Sequence, residues 1–149
     1  MSHSIVTDGA RKQLIEQLVY FDESKIDFLN HYYPAFGKER DKVDKVLGVY
    51  TRTIEQQLSD NAQHYLHHNV WIGSRVDLHY VEDGDKEQYT IVFPHLADPD
   101  RNRLSFLSPI GLQLLLARTG ERYMLTVPSG EIEVHIDRIA YVGLGEVRP

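Results

Sequence analysis

The chain has 149 residues, of which 42% are hydrophobic and 26% are charged, and this balance is that of a folded globular protein and excludes a disordered one. Its formal net charge of −6 argues against a protein that holds nucleic acid by neutralising phosphates, because such proteins carry clustered basic charge. The chain has no cysteine, which excludes disulfides and thiolate metal sites. A protein partner is therefore favoured over direct sequence-specific nucleic-acid binding.

The amino terminus lacks an export signal. Residues 1–6 do not contain the basic segment and following apolar stretch of a signal peptide, and no apolar run approaches the roughly 20 residues of a membrane span. We therefore predict a cytoplasmic protein with no membrane contact, and we expect it to be a monomer.

Helical periodicity dominates the first part of the chain. Two neighbouring rows of apolar residues over residues 14–33 recur at helical spacing and predict a helix with a broad buried stripe. Thr7 or Asp8 is expected to cap the start of this helix. Pro34 marks its end, because proline disfavours helical geometry in the preceding residue. The polar residues 22–25 are the weak point, where the helix is expected to break or restart.

A second helix is predicted after a short connection at residues 35–37. Its apolar residues again follow helical spacing: Val43, Leu47, Tyr50, Ile54 and Leu58. Two helices joined by so short a loop must run antiparallel, and arms of about 24 residues extend roughly 36 Å. The polar residues 60–63 are expected to end the second arm. We therefore predict a helical hairpin, or coiled coil, domain over residues 1–62.

The periodicity changes to that of strands from residue 70 onward. Val76, Leu78 and Tyr80 alternate with polar residues. The turn at residues 82–85 contains glycine and aspartate, which tolerate positive φ. This pattern predicts a hairpin of two strands, with residues 89–93 on the returning strand.

An apolar helix interrupts the strands of this second part. It is predicted over residues 109–117, after a short strand at residues 104–107, and two more strands are predicted at residues 123–127 and 132–142. The helix is apolar on nearly every side and is expected to be the central core element. The pattern predicts an antiparallel sheet packed against one helix over residues 63–149, and an α+β protein as a whole.

Five short motifs punctuate the second part of the chain. They are Gly73-Ser74-Arg75-Val76, Tyr89-Thr90-Ile91-Val92, Leu107-Ser108-Pro109-Ile110-Gly111, Pro128-Ser129-Gly130 and Ile139-Ala140-Tyr141. In order and spacing they resemble the carboxy-terminal domain of the bacterial Gre transcript-cleavage factors, the GreA/GreB family. Residues 9–14 and 54–59 carry a fainter resemblance to the base of the Gre hairpin. The resemblance implies an FKBP-like fold for the second domain.

The resemblance also implies a function. Gre factors dock their strand domain on the rim of the secondary channel of RNA polymerase, and acidic residues at the hairpin tip help to hold a second catalytic Mg²⁺ at the polymerase active site. The resemblance therefore implies a transcription elongation factor that modulates backtracked or paused complexes and stimulates transcript cleavage. Such a factor is accessory to the polymerase and is not an enzyme, so no catalytic residue or cofactor is expected beyond Mg²⁺ shared with RNA polymerase.

The tip of the predicted hairpin departs from the Gre pattern. The family's acidic tip motif is missing, and the nearest candidate carboxylates are Glu39, Asp41 and Asp44. Carboxylates suit Mg²⁺, and one or two can complete a site that is mostly supplied by others. Because lysine and arginine alternate with them, the segment equally fits an ordinary solvated helix face. A second function therefore stays open, that of a non-cleaving Gre-like or Rnk-like regulator that competes for the channel.

Aromatic residues mark the predicted tip. Tyr32, Tyr33 and Phe36 either pack on one another to close the hairpin, which we favour, or form a contact patch for a partner. Trp71 is either a buried anchor between the two halves of the chain or a contact to the polymerase rim. The candidate polymerase-binding residues are Tyr33, Phe36, Trp71, Ser108, Pro109 and Ile110.

Two further groups invite chemical interpretations. His64, His67 and His68 have helical spacing and imidazole is a metal ligand, but the group lacks the glutamate of a zinc-hydrolase motif. A linker or interface role is favoured there, and no metal site is expected. Ser108 has no ordered triad partners, and capping of the helix at Pro109 is sufficient to explain it. Prolyl isomerisation would rest on fold analogy alone.

Overall fold

A computed structural model of the chain describes residues 2–59 and 65–147, with side chains from residue 9 onward. The chain divides into two compact units, Met1–Gln63 and His64–Pro149, called here the hairpin unit and the sheet unit. The predicted domain boundary, between residues 62 and 63, lies outside the described residues.

The hairpin unit consists of α1 (Ser2–Tyr32) and α2 (Lys38–Leu58). Arg11, in the first half of α1, donates from Nη1 to the carbonyl oxygen of Leu58 at the end of α2 (3.1 Å). Arg40, in the first turn of α2, donates from Nη1 to Asn30 Oδ1 near the end of α1 (3.0 Å). Because each helix start meets the other helix end, the two helices run antiparallel, and the predicted hairpin is confirmed.

The two helices bury a common apolar stripe. Its members are Ala10, Leu14, Phe21, Phe28 and Leu29 on α1, and Val43, Leu47, Tyr50 and Ile54 on α2. The stripe on α1 is narrower than predicted, because Ile15, Val19 and Ile26 of the second apolar row are 40%, 46% and 61% exposed. A single partner helix covers one face of α1, and the neighbouring row therefore stays at the surface.

The start of α1 differs from the prediction, whereas the predicted break in the helix is confirmed. The helix begins at Ser2, so Thr7 and Asp8 lie inside it and the predicted cap is wrong. A cap contributes only about 1 kcal/mol, which continued helical hydrogen bonding can outweigh. Helical geometry is interrupted at Ser24 (φ −127°, ψ 15°), within the segment 22–25 that the sequence marks as weak.

A polar pair lies inside the hairpin unit. Gln17 and Tyr50 are both fully buried, and the Tyr50 hydroxyl donates to Gln17 Oε1 over 2.7 Å. Phe21 packs edge-on against Tyr50, with ring centroids 6.4 Å apart. Because a buried polar group is costly unless it is hydrogen-bonded, this pair favours one register of α1 against α2.

The sheet unit contains a five-stranded sheet with the strand order β3-β2-β1-β5-β4. Its strands are β1 (Ser74–Tyr80), β2 (Lys86–Val92), β3 (Arg103–Ser105), β4 (Arg122–Val127) and β5 (Gly130–Tyr141). The pairs β1–β2, β1–β5 and β4–β5 are antiparallel, whereas β3 pairs parallel with β2. The α+β class is confirmed, but the sheet is mixed and not wholly antiparallel, because the chain crosses over through two short 3-10 turns before β3.

Two short helices, α3 (Tyr65–His68) and α4 (Pro109–Leu114), complete the sheet unit. The buried core of the unit includes Trp71, Val76, Leu78, Ile91, Phe93, Phe106, Leu112, Leu114, Val134, Ile136 and Ile139. The apolar helix of the sequence therefore contributes to the core as predicted, together with the inner faces of β1, β2 and β5.

α4 ends earlier than its predicted limit at residue 117. Leu115 leaves helical geometry (φ −56°, ψ 132°) and Leu116 has a positive φ of 67°. The cause is tertiary: the Leu116 N–H donates to the carbonyl oxygen of Val70 (2.8 Å), and the Val70 N–H donates to that of Ala117 (3.0 Å). These two hydrogen bonds join distant segments, so the apolar pattern of residues 109–117 could not show them.

β5 contains a bulge near its middle. Ile136 and Arg138 face consecutive residues of β1, and Asp137 between them faces none. A bulge puts two successive side chains on one face of a sheet. Asp137 and Arg138 are accordingly both exposed, whereas Ile136 is buried.

Candidate functional site

The hairpin tip, defined here as residues 33–45, is organised around a buried arginine. Arg40 is 7% exposed, and its Nη1 donates to Asn30 Oδ1 (3.0 Å) and to the carbonyl oxygen of Tyr33 (2.8 Å). Its guanidinium also lies over the Phe36 ring, 4.8 Å from the ring centroid. A planar guanidinium makes such contacts together, which a lysine ammonium does not. In the sequence Arg40 is one of several alternating cations, and nothing there reveals this role.

Phe36 is the most exposed large apolar side chain among those described, with 86% of its surface accessible. Tyr32 packs on Phe28, with ring centroids 4.8 Å apart, and is 39% exposed. The favoured prediction that Tyr32, Tyr33 and Phe36 close the hairpin by packing on one another is therefore wrong for Phe36. An exposed aromatic ring supported by an arginine has the character of a partner contact.

Tyr33, three residues before Phe36 in the chain, is half-buried. Burial, and secondarily the negative charge of Glu39, raises the pKa of the Tyr33 phenol above its ordinary value. The hydroxyl therefore stays protonated at neutral pH and can donate a hydrogen bond to a partner.

Glu39, Asp41 and Asp44 do not form a close cluster of three metal-ligand side chains within residues 9–59. Glu39 and Asp41 are exposed in the first turn of α2, where negative charge stabilises a helix N-terminus. Asp44 is paired with Lys25, whose Nζ lies 2.7 Å from Asp44 Oδ1. Both side chains of this pair are partly exposed, so the pair contributes less than about 1 kcal/mol and can open on binding.

Basic side chains share the surface of these carboxylates. Three lysines line the same shallow depression as Asp41 and Asp44. Over residues 38–45, four basic residues stand against three acidic ones. Mg²⁺ binds through carboxylates, waters and phosphates, and neighbouring cations repel it. The tip therefore offers single exposed carboxylates among cations, an arrangement suited to adding a ligand to a metal ion held elsewhere.

Ser108 begins α4 as its N-cap. Its Oγ accepts a hydrogen bond from the Gly111 N–H (3.0 Å), and Pro109 stands at N1, where no N–H is needed. The predicted capping role of Ser108 is confirmed. Gly111 is required because a Cβ at this position would collide with the carbonyl oxygen of Ser105. Pro109 is exposed and Ile110 is partly exposed, so these two candidate contact residues are accessible to a partner.

Trp71 lies in the core of the sheet unit. Its side chain is fully buried, and its Nε1 donates to the carbonyl oxygen of Tyr65 (2.9 Å). The Tyr65 ring meets the indole edge-on, with centroids 5.9 Å apart. The predicted burial of Trp71 is confirmed, whereas its role as an anchor between the two halves stays a prediction. Its burial contradicts a direct contact with the polymerase rim.

The structure describes two of the three residues in the predicted histidine group. His67 and His68 are exposed on α3, whereas His64 lies outside the described residues. Thr119 Oγ1 donates to the carbonyl oxygen of His67 (3.0 Å), which ties α3 to the segment after α4. The linker or interface role of the three histidines stays a prediction.

A different cluster of titratable residues, not singled out by the sequence pattern, lies on β1 and β5. His79 Nδ1 is 2.9 Å from Asp137 Oδ1, and His135 Nδ1 is 2.7 Å from the same oxygen. Burial acts to raise the pKa of the Asp137 carboxyl, but the hydrogen bonds and charges of the two imidazoles outweigh it and lower that pKa below its ordinary value. Residues two apart on a strand lie on the same face, so the sequence could have placed His135 and Asp137 together. The proximity of His79 to them depends on the register of β1 against β5, which the sequence pattern does not show.

A family model for the C-terminal region of the transcription elongation factors GreA and GreB matches residues 66–141, just over half of the chain. The chain belongs to the GreA/GreB family of transcription elongation factors. The family resemblance of the sequence motifs is thereby confirmed. The matched range contains all five strands and α4.

Relatives of this GreA/GreB-family protein are named as elongation factors. Transcription elongation factor GreA of Desulfovibrio desulfuricans is 36% identical over 74 residues, which are 50% of this chain and 46% of that protein. GreA of Nautilia profundicola is 27% identical over 112 residues, which are 75% of this chain and 69% of that protein. The chain spans about half the length of the curated relatives from Desulfovibrio desulfuricans and Solidesulfovibrio magneticus.

Solved structures of related proteins resemble this GreA/GreB-family protein with TM-scores below 0.5, and two of them are described here. A GreA/GreB elongation factor from Nitrosomonas europaea has a TM-score of 0.48 and 22% identity, covering 61% of this chain and 79% of that chain. GreA factor homolog 1 of Thermus thermophilus has a TM-score of 0.45 and 20% identity, covering 89% and 93%. The family assignment therefore rests on the sequence match. Within the described residues, no helix has the length and apolar character that crossing a membrane requires.

Proposed function

We propose that this chain is an elongation factor that binds RNA polymerase at its secondary channel and modulates backtracked or paused complexes. The observation that carries the proposal is the combination, in one chain, of a GreA/GreB sheet unit with an antiparallel helical hairpin. A helical hairpin is narrow enough to enter a channel, and the 21 residues of α2 give it a length of roughly 30 Å.

In this proposal the protein is an accessory factor and contributes no catalytic residue of its own. The polymerase active site carries out the chemistry, and the factor supplies at most a ligand to Mg²⁺ that both proteins share. It acts in the cytoplasm as a monomer. It makes no direct sequence-specific contact with nucleic acid, in keeping with its net charge of −6.

The accessible candidate residues divide between the two units. In the sheet unit, Pro109 and Ile110 at the start of α4 contact the channel rim. In the hairpin unit, Phe36 and Tyr33 contact the interior of the channel. Phe36 offers a large apolar surface, 86% exposed, which a partner can bury.

The first mode of action is stimulation of transcript cleavage. Glu39 and Asp41 are exposed in the first turn of α2, so their oxygens are free to join a Mg²⁺ coordinated mainly by the polymerase. Asp44 can join them once its weak pair with Lys25 opens.

The second mode is occlusion of the channel without cleavage, in competition with cleavage factors. The charge of the tip favours it, because four basic residues stand against three acidic ones over residues 38–45. A tip of this charge repels a metal ion more than an acidic tip does. In this mode, Phe36 and Arg40 would block the channel sterically.

Assays on stalled elongation complexes distinguish the two modes. In the first mode the wild-type protein stimulates cleavage and Glu39→Ala/Asp41→Ala abolishes it. The matched control is Glu16→Ala/Glu55→Ala, which removes one exposed carboxylate from each hairpin helix outside the tip and is expected to leave cleavage unchanged. In the second mode the wild type gives no cleavage and inhibits an added Gre factor. A wild-type protein that neither co-purifies with RNA polymerase nor changes either assay refutes the proposal.

A further inference from the structure

The outer face of the sheet unit, opposite the apolar core, carries three potential metal-ligand side chains in one place. His79 lies on β1, and His135 and Asp137 lie on β5. One potential ligand atom from each lies within 4.8 Å of the other two. The two imidazole rings stack, with centroids 5.0 Å apart and planes inclined by 30°. In the part of the chain that the structure describes, no other three histidine or carboxylate side chains come this close.

Strand register and the bulge together assemble this group. His79 and His135 face each other directly across the β1–β5 ladder. The Cβ atoms of such facing residues are about 5 Å apart, which lets both rings reach a common ligand. Asp137 is the residue that the bulge leaves unpaired, and bulges re-aim a side chain at such points.

The carboxylate of Asp137 already joins the two rings. His79 Nδ1 lies 2.9 Å from Oδ1 and 3.0 Å from Oδ2 of Asp137, and His135 Nδ1 lies 2.7 Å from Oδ1. An ionised carboxylate only accepts hydrogen bonds, so both Nδ1 atoms donate to it. A metal ion replaces protons of this kind on binding, because imidazole and carboxylate bind metal through their deprotonated forms.

We propose that His79, His135 and Asp137 bind a divalent metal ion of the zinc class. Zn²⁺ accepts imidazole nitrogen and carboxylate oxygen, and a site with three protein ligands keeps a fourth position open. Two imidazoles among three ligands favour Zn²⁺ over Mg²⁺, which prefers oxygen. On an exposed sheet face, the fourth position is open to water or to a side chain of a partner. The proposal does not depend on the proposed function.

Neighbouring cations set a limit on the affinity and give the proposal a distinctive test. Lys86 faces His79 from β2, and Arg122 faces His135 from β4, and both are exposed. A single positive charge about 8 Å from a divalent ion in water weakens its binding about fivefold. Arg122→Gln is therefore expected to tighten zinc binding at low salt by up to about fivefold, although Arg122 is not itself a metal ligand.

Calorimetric titration of the purified full chain with Zn²⁺ tests the site. We expect one Zn²⁺ to bind per chain, and His79→Gln, His135→Gln and Asp137→Asn each to weaken binding about tenfold or more. Titration with Co²⁺ adds a visible spectrum that reports the ligand number. Circular dichroism checks that each variant is folded, which is expected because the substituted side chains lie outside the apolar core.

Two controls separate this site from other histidines. His95→Gln removes an exposed histidine of the sheet unit, and His67→Gln/His68→Gln removes the pair on α3. Both are expected to leave zinc affinity unchanged. Loss of binding in the α3 variant but not in His79→Gln overturns the proposal and assigns the metal to α3. Absence of stoichiometric binding by the wild type also overturns it and leaves the cluster as a hydrogen-bonded network.

Discussion

The hairpin unit and the sheet unit maintain their structures by different means. In the sheet unit single backbone positions are decisive: a Cβ on Gly111 would collide with Ser105, and Gly73 (φ 111°) lies against the Tyr141 ring. In the hairpin unit Gly48 has open space where a Cβ would stand, and side chains at helical spacing hold α1 and α2 together. Many sequences satisfy a helical stripe, whereas few place glycine at the required points. The family model, which describes the C-terminal region of GreA and GreB, matches residues 66–141, within the sheet unit.

The largest expected effect comes from replacing one glycine by alanine in each unit, which tests this difference directly. Gly111→Ala forces a methyl group against the carbonyl oxygen of Ser105 and against Ser108 Oγ, so the turn and the helix cap must both move. We expect the sheet unit to lose about 3 kcal/mol or more of unfolding free energy. Urea unfolding followed by the fluorescence of Trp71, the single tryptophan of the chain, measures it.

The matched control is Gly48→Ala in α2. Alanine has room there and a higher helix propensity, so the hairpin unit is expected to gain up to about 1 kcal/mol. Helical circular dichroism during urea unfolding reports this change. Equal destabilisation by both alanines would contradict the comparison.

The next prediction asks whether the stability of the hairpin tip depends on the single residue Arg40, as the sheet unit depends on its glycines. Arg40→Ala removes the hydrogen bonds to Asn30 and to the Tyr33 carbonyl oxygen, at a cost of about 2 kcal/mol to the hairpin. Arg40→Lys is expected to recover less than half of this loss, because an ammonium lacks the planar fork. Thermal unfolding by circular dichroism measures both.

The exposed Arg52 of α2 offers a control for charge at the same helix. Arg52→Ala is expected to change the unfolding free energy by less than about 0.5 kcal/mol. A similar loss in Arg40→Ala and Arg52→Ala would show that Arg40 is an ordinary surface cation.

A smaller effect concerns the polar pair inside the hairpin. Tyr50→Phe removes the donor to Gln17 Oε1 and is expected to cost about 1–2 kcal/mol. The double variant Tyr50→Phe/Gln17→Leu replaces both polar groups by apolar ones and is expected to recover at least half of that loss. A double-mutant cycle from urea unfolding gives the coupling energy. Strict additivity of the two substitutions would show that the pair does not act as a unit.

The smallest effect concerns alkaline pH in the sheet unit. Burial first, then the hydrogen bond with Tyr80 and the nearby negative charges, raises the pKa of Tyr89 well above its ordinary value of 10.0. Its contribution to stability is therefore complete below pH 10 and is lost as the pH rises through the raised pKa. Because Tyr89 is partly exposed, we expect a slope below about 1 kcal/mol per pH unit. Urea unfolding of the wild type and Tyr89→Phe from pH 9 upward measures it, and identical slopes would contradict it.

Local patterns predicted several elements of this fold because their causes lie within a few residues of sequence. The helical stripe around Val43 and Leu47 predicted α2, and the polar segment 22–25 predicted the interruption now found at Ser24. Ser108 before a proline predicted the N-cap of α4. Each of these depends on periodicity or on the chemistry of a single turn.

The candidate site could be predicted only in part. Glu39 and Asp41 stand where the hairpin pattern put them, at the start of α2. The exposure of Phe36 contradicts its packing against the other tip aromatics, and the burial of Trp71 contradicts its contact with the polymerase rim. Exposure depends on which surfaces the rest of the unit leaves uncovered, and a pattern of residue types does not contain that information.

By itself the sequence determined the α+β class, the helical hairpin and the family, because periodicity, caps and obligatory glycines act over short stretches of chain. Tertiary structure decided the burial of Arg40 against the Tyr33 carbonyl oxygen, the early end of α4 at its contact with Val70, and the contact of His79 with Asp137. These features depend on the register between strands and on hydrogen bonds between segments far apart in the chain. Such contacts form only when a particular packing is selected from many that the same local patterns allow.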